Sequence, residues 1–145
     1  MKDEFSRYKR YARQLTIALI DIGNFKFIND SYGHSAGDET LRSLTLFINN
    51  NIRDSDRFYR IGGDEFAILF VETSLNESVL ISNMLREGVE KIDNHLNCPL
   101  SISTGIAVLH EHETQKQWIN RADTELYKAK RSGKNKVCYE TLLQF

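Results

Sequence analysis

Proline is nearly missing from this chain: Pro99 stands alone among 145 residues. Cysteine is almost as scarce, with only Cys98 and Cys138, so no disulfide framework staples the fold, and a chain of this length can bury its own core. The two thiols fit a reducing cytosol, with a single bridge left open at this point. Long apolar runs are missing too. The longest, Leu15 to Ile20 with one threonine inside it, falls far short of the roughly 20 residues that span a bilayer. The opening MKDEFSRYKRYARQ holds no signal-peptide core. Net charge is missing as well: 20 acidic residues against 19 Lys and Arg exclude the global field that holds a protein on nucleic acid or anionic lipid. Any phosphate binding must come from local placement. What is present is core material, 41% apolar and 10% aromatic, enough for one soluble domain over residues 1–145. No repeat or low-complexity segment occurs. A chain that opens directly on a charged helical pattern reads as a module of something longer.

Residues 3 to 13 set Phe5, Tyr8, Tyr11 and Ala12 at helical spacing among Arg and Lys, the pattern of a short amphipathic helix. LTIALIDI is apolar on both alternating sets, so it reads as a strand covered on both faces, with Asp21 near its end. FKFINDSYGHSAGDE is turn-rich and leads into a helix whose stripe is Leu41, Leu44, Leu46, Phe47 and Ile48, with Ser35 and Asp38 as a helix-start cap. RFYRI and FAILFVE flank Gly62, Gly63, Asp64 and Glu65, two β-type runs joined by a glycine turn. Ser74 and Glu77 open a helix with Val79, Leu80, Leu85, Val89 and Ile92 inward. LSISTGIAVL is a strand, Thr114 and Gln117 cap a long helix ending near KRSGK, and KVCYE is a last short strand. The order fits an α+β, βαββαβ sandwich of ferredoxin-like or palm-like type: a mixed sheet with helices to one side, a hairpin carrying Gly62 to Phe66, and an appended C-terminal helix and strand. That plan brings Asp21 beside Asp64 and Glu65.

Three carboxylates gathered next to buried apolar surface cannot all stay ionised and unpaired. A hard divalent cation resolves the conflict. Mg²⁺ takes a few carboxylate oxygens and fills its shell with water and substrate phosphate, so the arrangement points to a phosphate-ester substrate. Glycines on the hairpin let a ligand approach its backbone. Taken alone, the same residues also suit a solvated turn.

GGDEF at residues 62 to 66 resembles the signature of the GGDEF family, the diguanylate cyclases that join two GTP molecules into cyclic di-GMP. The segment IDIGNFKFINDSYGHSAGDETL (20 to 41) is similar to that family's nucleotide-binding segment, and RADTELYKAKRSGKN (121 to 135) to its C-terminal helix. The resemblance runs from about Leu15 to the last strand. It implies Asp21, Asp64 and the Ile22 carbonyl as ligands of Mg²⁺ or Mn²⁺, with Glu65 assisting a metal or the attacking hydroxyl. It implies Asn29 and Asp38 on guanine, His34, Phe25, Gly62 and Gly63 against the nucleotide, and Lys26, Lys130 and Lys134 on phosphates. It further implies a homodimer in which each 3′-hydroxyl faces the other nucleotide's α-phosphorus, Asp64 or Glu65 removing the proton and Lys26 stabilising the transition state. A regulatory domain in the full-length protein, a cytoplasmic site of action with a membrane sensor as one tether, and no nucleic-acid partner complete the expectation.

RDSD, residues 53 to 56, resembles the family's RxxD product-inhibition motif, with Arg53 gripping phosphate or guanine and Asp56 accepting from guanine; a polar turn is the other reading. Asp38 has a second reading as a plain cap, and Lys128, Lys130, Arg131, Lys134 and Lys136 as a solvated helix end. His95, His110 and His112 show no partner pattern, and HEH at 110 to 112 reads as a wet loop. Several positions depart from the family. Lys134 stands where arginine is usual, Gly23 where a second aspartate is common, and Met84 where the following helix often supplies an arginine, Arg86 lying two places on. The family's LTxLxNR-type segment is absent, which reads as truncation. Beside the cyclase, two rivals remain: a catalytically weak module that binds GTP or cyclic di-GMP and regulates attached domains, and a different palm-like cyclase or polymerase.

Overall fold

A computed structural model describes residues 1–11, 14–94 and 96–140. The elements are α1 (Lys2–Tyr11), β1 (Leu15–Gly23), α2 (Phe25–Tyr32), α3 (His34–Asn50), β2 (Arg57–Gly62), β3 (Glu65–Val71), α4 (Leu75–Glu90), β4 (Ser101–Val108), α5 (Gln115–Arg131) and β5 (Val137–Tyr139). The five strands form one sheet in the order β2-β3-β1-β4-β5. All pairs are antiparallel except β4 with β5. From β1 to β4 this is the expected βαββαβ unit, with α5 and β5 appended. The expected first helix is α1; Ala12, the last residue of its proposed stripe, lies outside the described residues, as does His95.

β1 occupies the centre because both of its faces are apolar. Ala18, Ile20 and Ile22 join Phe66, Ile68 and Phe70 beneath α2, α3 and α4. Leu15, Ile17 and Leu19 join Ala67, Leu69 and α5's Trp118, Ala122 and Leu126, where Phe5 of α1 also packs. Helices therefore cover both faces, which corrects the expected one-sided arrangement. The cause is the period of two: a strand apolar on both alternating sets needs cover on both sides. Trp118 anchors the second layer, fully buried, its indole N–H donating to the Ala107 carbonyl at 2.9 Å and its ring stacked on Phe5. Gly105 sets how closely α5 lies: a Cβ there would come within 2.1 Å of the Leu126 amide nitrogen.

The turn-rich stretch after β1 is helical. Asn24, in the left-handed region at φ 69°, donates its side-chain N–H to the Pro99 carbonyl and turns the chain into α2, whose Phe25 and Ile28 are buried one turn apart. Ser35 and Asp38 form no cap; Gly33 opens α3 without a side-chain hydrogen bond. Ser74 does cap α4, and Thr114 with Gln117 makes a reciprocal capping box on α5. Leu46 and Leu80, expected inward, are 63% and 64% exposed, because each helix turns a neighbouring stripe (Leu41, Leu44, Ile48; Leu85, Val89) to the sheet. Both cysteines are free. Among the described residues no helix is long and apolar enough to cross a membrane.

Candidate functional site

Strand alternation decides where Asp21 faces. Leu15, Ile17 and Leu19 pack toward α5, so Asp21 continues that face toward the end of β1. Its cross-strand partners are Glu65 on β3 and Ser103 on β4. The hairpin turn is Gly63–Asp64, with Gly62 still in β2 after a bulge. Gly63 has φ 52°, a conformation costly to side-chain-bearing residues. Gly62 has no atom within 4 Å of a would-be Cβ, so its missing side chain answers to no crowding within the fold. Two sets of bonds hold the turn, one to β1 and one within the hairpin. The Ile22 N–H donates to the Asp64 carbonyl at 3.1 Å, and the Arg60 guanidinium donates to the Gly63 carbonyl at 3.2 and 2.9 Å. Beneath them Phe58 and Phe66 stack with centroids 5.2 Å apart.

The structure thus brings Asp21, Asp64 and Glu65 together. Burial pushes the Asp21 carboxyl above the usual range, and the negative charge of Asp64 pushes it further; Lys130 opposes both, and Glu65 adds a smaller upward push. The Lys130 ammonium lies 3.2 Å from Asp21 Oδ2. Lys130 is therefore more than a solvated helix end: it is the cation paired with Asp21. Among the described residues no set of three or more His, Cys, Asp or Glu is arranged to hold a metal unaided. The donor chemistry still fits a hard divalent ion: Asp21 requires a cation, and an ammonium stands in for one. Mg²⁺ needs only one or two carboxylates where phosphates complete its shell.

The remaining expected residues are spread along α2, α3 and the segment after α5. Lys26 is exposed on α2, and His34 and Asp38 are exposed in the first turns of α3. Asp38, released from the capping role, lines a cleft of about 490 Å³ with Leu41, Arg42 and Arg60. Asn29 lies directly against α3: a Cβ on Gly37 would fall 1.8 Å from Asn29 Oδ1, so Gly37 leaves room for this carboxamide beside Asp38. The Phe25 side chain belongs to the core. An aromatic at the first position of α2 anchors the helix, so any contact of Phe25 with nucleotide falls to its backbone rather than its ring. Lys134 is exposed with φ 62°, and the next residue's N–H donates to Ser103 Oγ, which ties this segment to β4 beside Asp21's partner. Gly23 is crowded by Ser101 Oγ, 2.4 Å from a would-be Cβ, so an aspartate there would require Ser101 to move.

Arg53 and Asp56 sit at the far end of the β2–β3 hairpin, and they are engaged with the fold. The Asp56 side chain is wholly buried. Its Oδ1 accepts the Val71 N–H at 3.2 Å and its Oδ2 the Arg53 N–H at 3.0 Å. Arg53 spans Asp56, the Val71 carbonyl and Thr73 Oγ1. The Asp56 carboxylate is thus committed to the Val71 and Arg53 N–H groups, while the Arg53 side chain that grips it is 51% exposed. Met84 is exposed, and Arg86 is paired with Glu90 and Glu87 on α4 itself. His110 and His112 lie in an exposed turn. Sequence reasoning missed Asn24, Gly37 and Arg60, which aim α2, seat Asn29 and clamp the hairpin; an asparagine, a residue type that tolerates the left-handed region, directly before FKFINDSY and the arginine two residues before the glycines were the available signals.

A βαββαβ sheet with acids gathered where its first strand meets its central hairpin is a palm-like architecture with a candidate cation site, and the comparisons give its family. The family described as "Diguanylate cyclase, GGDEF domain" matches residues 1–136, and the chain belongs to that family. It is 39% identical over 140 residues to diguanylate cyclase DosC of Escherichia coli K12, covering 94% of this chain and 30% of the relative. The chain thus spans about a third of that relative's length. Among solved structures it is similar to the active GGEEF domain of a Vibrio cholerae diguanylate cyclase, with TM-score 0.88, 32% identity and 97% and 92% of the two chains covered. It is also similar to the GGDEF domain of DgcB from Caulobacter crescentus in complex with c-di-GMP, with TM-score 0.87, 26% identity and 95% and 86% covered.

Proposed function

We propose that this domain is a diguanylate cyclase, condensing two GTP into cyclic di-GMP and two pyrophosphates where two copies of the domain face each other. The observation that supports it most is Asp21, half-buried beside Asp64 and Glu65 and paired with a single ammonium. That group has a net negative charge and an open side, at the point where the family's signature hairpin meets β1.

Asn29 and Asp38 read guanine: the carboxylate accepts from the ring N–H and exocyclic amine, a pair of donors adenine lacks. Lys26, Lys130 and Lys134 bind the triphosphate as point charges; Lys134 lacks the bidentate grip of arginine. Gly62 and Gly63 admit the nucleotide close to the hairpin backbone. Asp21, Asp64 and the Ile22 carbonyl would hold Mg²⁺ or Mn²⁺, with Glu65 beside them. The ion would supply Lewis-acid stabilisation of charge on the phosphates. Asp64, with Glu65 as second choice, takes the proton from the 3′-hydroxyl presented by the opposite copy, and Lys26 neutralises charge developing at the α-phosphate. One chain carries half of the reacting atoms, so turnover requires a dimer, which attached regulatory segments of a longer protein would promote. A GTP substrate and two free thiols suit a cytoplasmic site of action, with any membrane tether outside this domain.

Incubation with GTP and Mg²⁺ followed by chromatography of the products tests the reading. Cyclic di-GMP is the expected product. GTP bound but unturned leaves a regulatory binding module, and a linear or mononucleotide cyclic product leaves another cyclase or polymerase.

A further inference from the structure

Lys130 reaches Asp21 from the last turn of α5, a helix held at contact distance from the sheet by Gly105 and by the buried Trp118, Ala122, Leu126 and Ala129. The helix is therefore fixed, but the lysine tip is not. Its side chain is 39% exposed while that of Asp21 is 14% exposed, so the ammonium approaches the acid from the solvent side. An incoming divalent ion must reach the same oxygen from that side too. Two cations cannot share Asp21 Oδ2 at contact distance without strong repulsion.

We propose that Lys130 is the resident counter-ion of Asp21, and that a divalent cation displaces it readily only when a nucleotide triphosphate offers the ammonium an alternative anion. Metal and nucleotide then bind as a coupled pair, each favouring the other through one lysine. This rests on the cyclase reading of the site but adds to it an order of occupancy. The protein without nucleotide resists metal, and the arrival of the triphosphate opens the site by drawing the Lys130 ammonium away from Asp21. A flexible four-carbon stem suits this exchange, whereas a planar guanidinium would hold the carboxylate through two bonds.

The test is Mn²⁺ binding to the whole chain, followed by the electron paramagnetic resonance of free Mn²⁺, with and without a non-hydrolysable GTP analogue. Without nucleotide, Lys130→Met is expected to tighten Mn²⁺ binding by about 3- to 5-fold, the scale of a partly exposed ion pair. Lys130→Arg should bind no more tightly than the parent. Lys134→Met removes a nearby cation that is not paired with Asp21, and should stay within about 2-fold of the parent if general repulsion is weak. The analogue should tighten Mn²⁺ more in the parent than in Lys130→Met, since only the parent has the pair to release. Thermal melts of each variant check that the fold is kept. Equal Mn²⁺ affinity of Lys130→Met and the parent, or an equal gain in Lys134→Met, overturns the inference. If cyclic di-GMP is still made in that case, the proposed function stands without it. Absence of Mn²⁺ binding in every variant, with or without the analogue, overturns both.

Discussion

Gly105→Ala puts the contact between β4 and α5 under the sharpest test. The added Cβ would lie 2.1 Å from the Leu126 nitrogen and 2.3 Å from the Ala122 oxygen, both backbone atoms that no rotamer change can clear. Restoring ordinary contact moves α5 outward by about 1.3 Å, the scale at which overpacking costs roughly 1–3 kcal/mol. For a domain of this size that lowers the melting temperature by roughly 3–12 °C. Function should suffer more. Lys130 lies one turn beyond Leu126 on the same helix, so its 3.2 Å contact with Asp21 would stretch beyond salt-bridge range or require a new rotamer. A misplacement near 1 Å at a reacting centre costs up to about 100-fold in rate. Calorimetric melting and cyclic di-GMP yield, measured on the same preparation, read the two effects. A Gly105→Ala protein with the parent's melting temperature and yield would refute the claim that α5 is seated backbone-to-backbone on β4.

Three further outcomes follow from single contacts. Asp64→Asn should lower cyclic di-GMP synthesis by about 10²–10³-fold, the range lost with one preorganised active-site group. It should not lower the melting temperature, because it removes a charge that repels Asp21; unchanged synthesis rejects the site. Gly37→Ala should raise or preserve stability through helix propensity, worth about 1 kcal/mol. The same change displaces the Asn29 carboxamide and should weaken binding of a GTP analogue by roughly 10-fold, one hydrogen bond's worth, read by calorimetry. Glu113, buried in the β4–α5 turn, carries the clearest pH signal. Burial pushes its carboxyl up, but hydrogen bonds from Arg121 and the His110 N–H, with the charge of Arg121, outweigh burial and hold it below the usual value of 4.5. A depressed carboxyl stabilises the fold above its unfolded pKa, and that support is lost as pH falls through the folded one. Glu113→Gln should therefore melt lower than the parent at pH 7, by an amount equivalent to about 1–3 kcal/mol, and the gap should close below about pH 4.5. A gap constant with pH would show that the charge of Glu113 is not what matters.

The sheet was legible because apolar periodicity and local caps are written in adjacent residues. LTIALIDI carried the central strand, the Thr114 and Gln117 pair carried the start of α5, and paired β runs around glycines carried the hairpin. The errors arose where a distant partner outweighed local chemistry. FKFINDSY has a turn-like composition, yet buried Phe25 and Ile28 and the bond from Asn24 to the Pro99 carbonyl, 75 residues away, hold it as a helix. Leu46 and Leu80 were misplaced for a related reason. Several apolar residues offered overlapping stripes, and only the docking angle of each helix chose between them.

The site divides in the same way. Charge-bearing groups are visible in a sequence, but the partner each one takes is decided across the fold. Lys130 is a cation near a helix end in sequence and the counter-ion of Asp21 in space, two elements with 108 intervening residues. Arg53 and Asp56 present a ligand-binding spacing, and in the fold the same two side chains also tie the start of β2 to Val71 and Thr73 at the end of β3. The contrast shows why matched residues differ in value as evidence. Asp56 meets its hydrogen-bonding demand inside the domain, so its identity is accounted for by folding. Asp21 is held in a half-buried position against two like charges by one flexible cation, and folding alone gives no reason to gather three acids there. A residue whose environment works against its own ionised form is better evidence of an absent ligand than one whose every bond is already made.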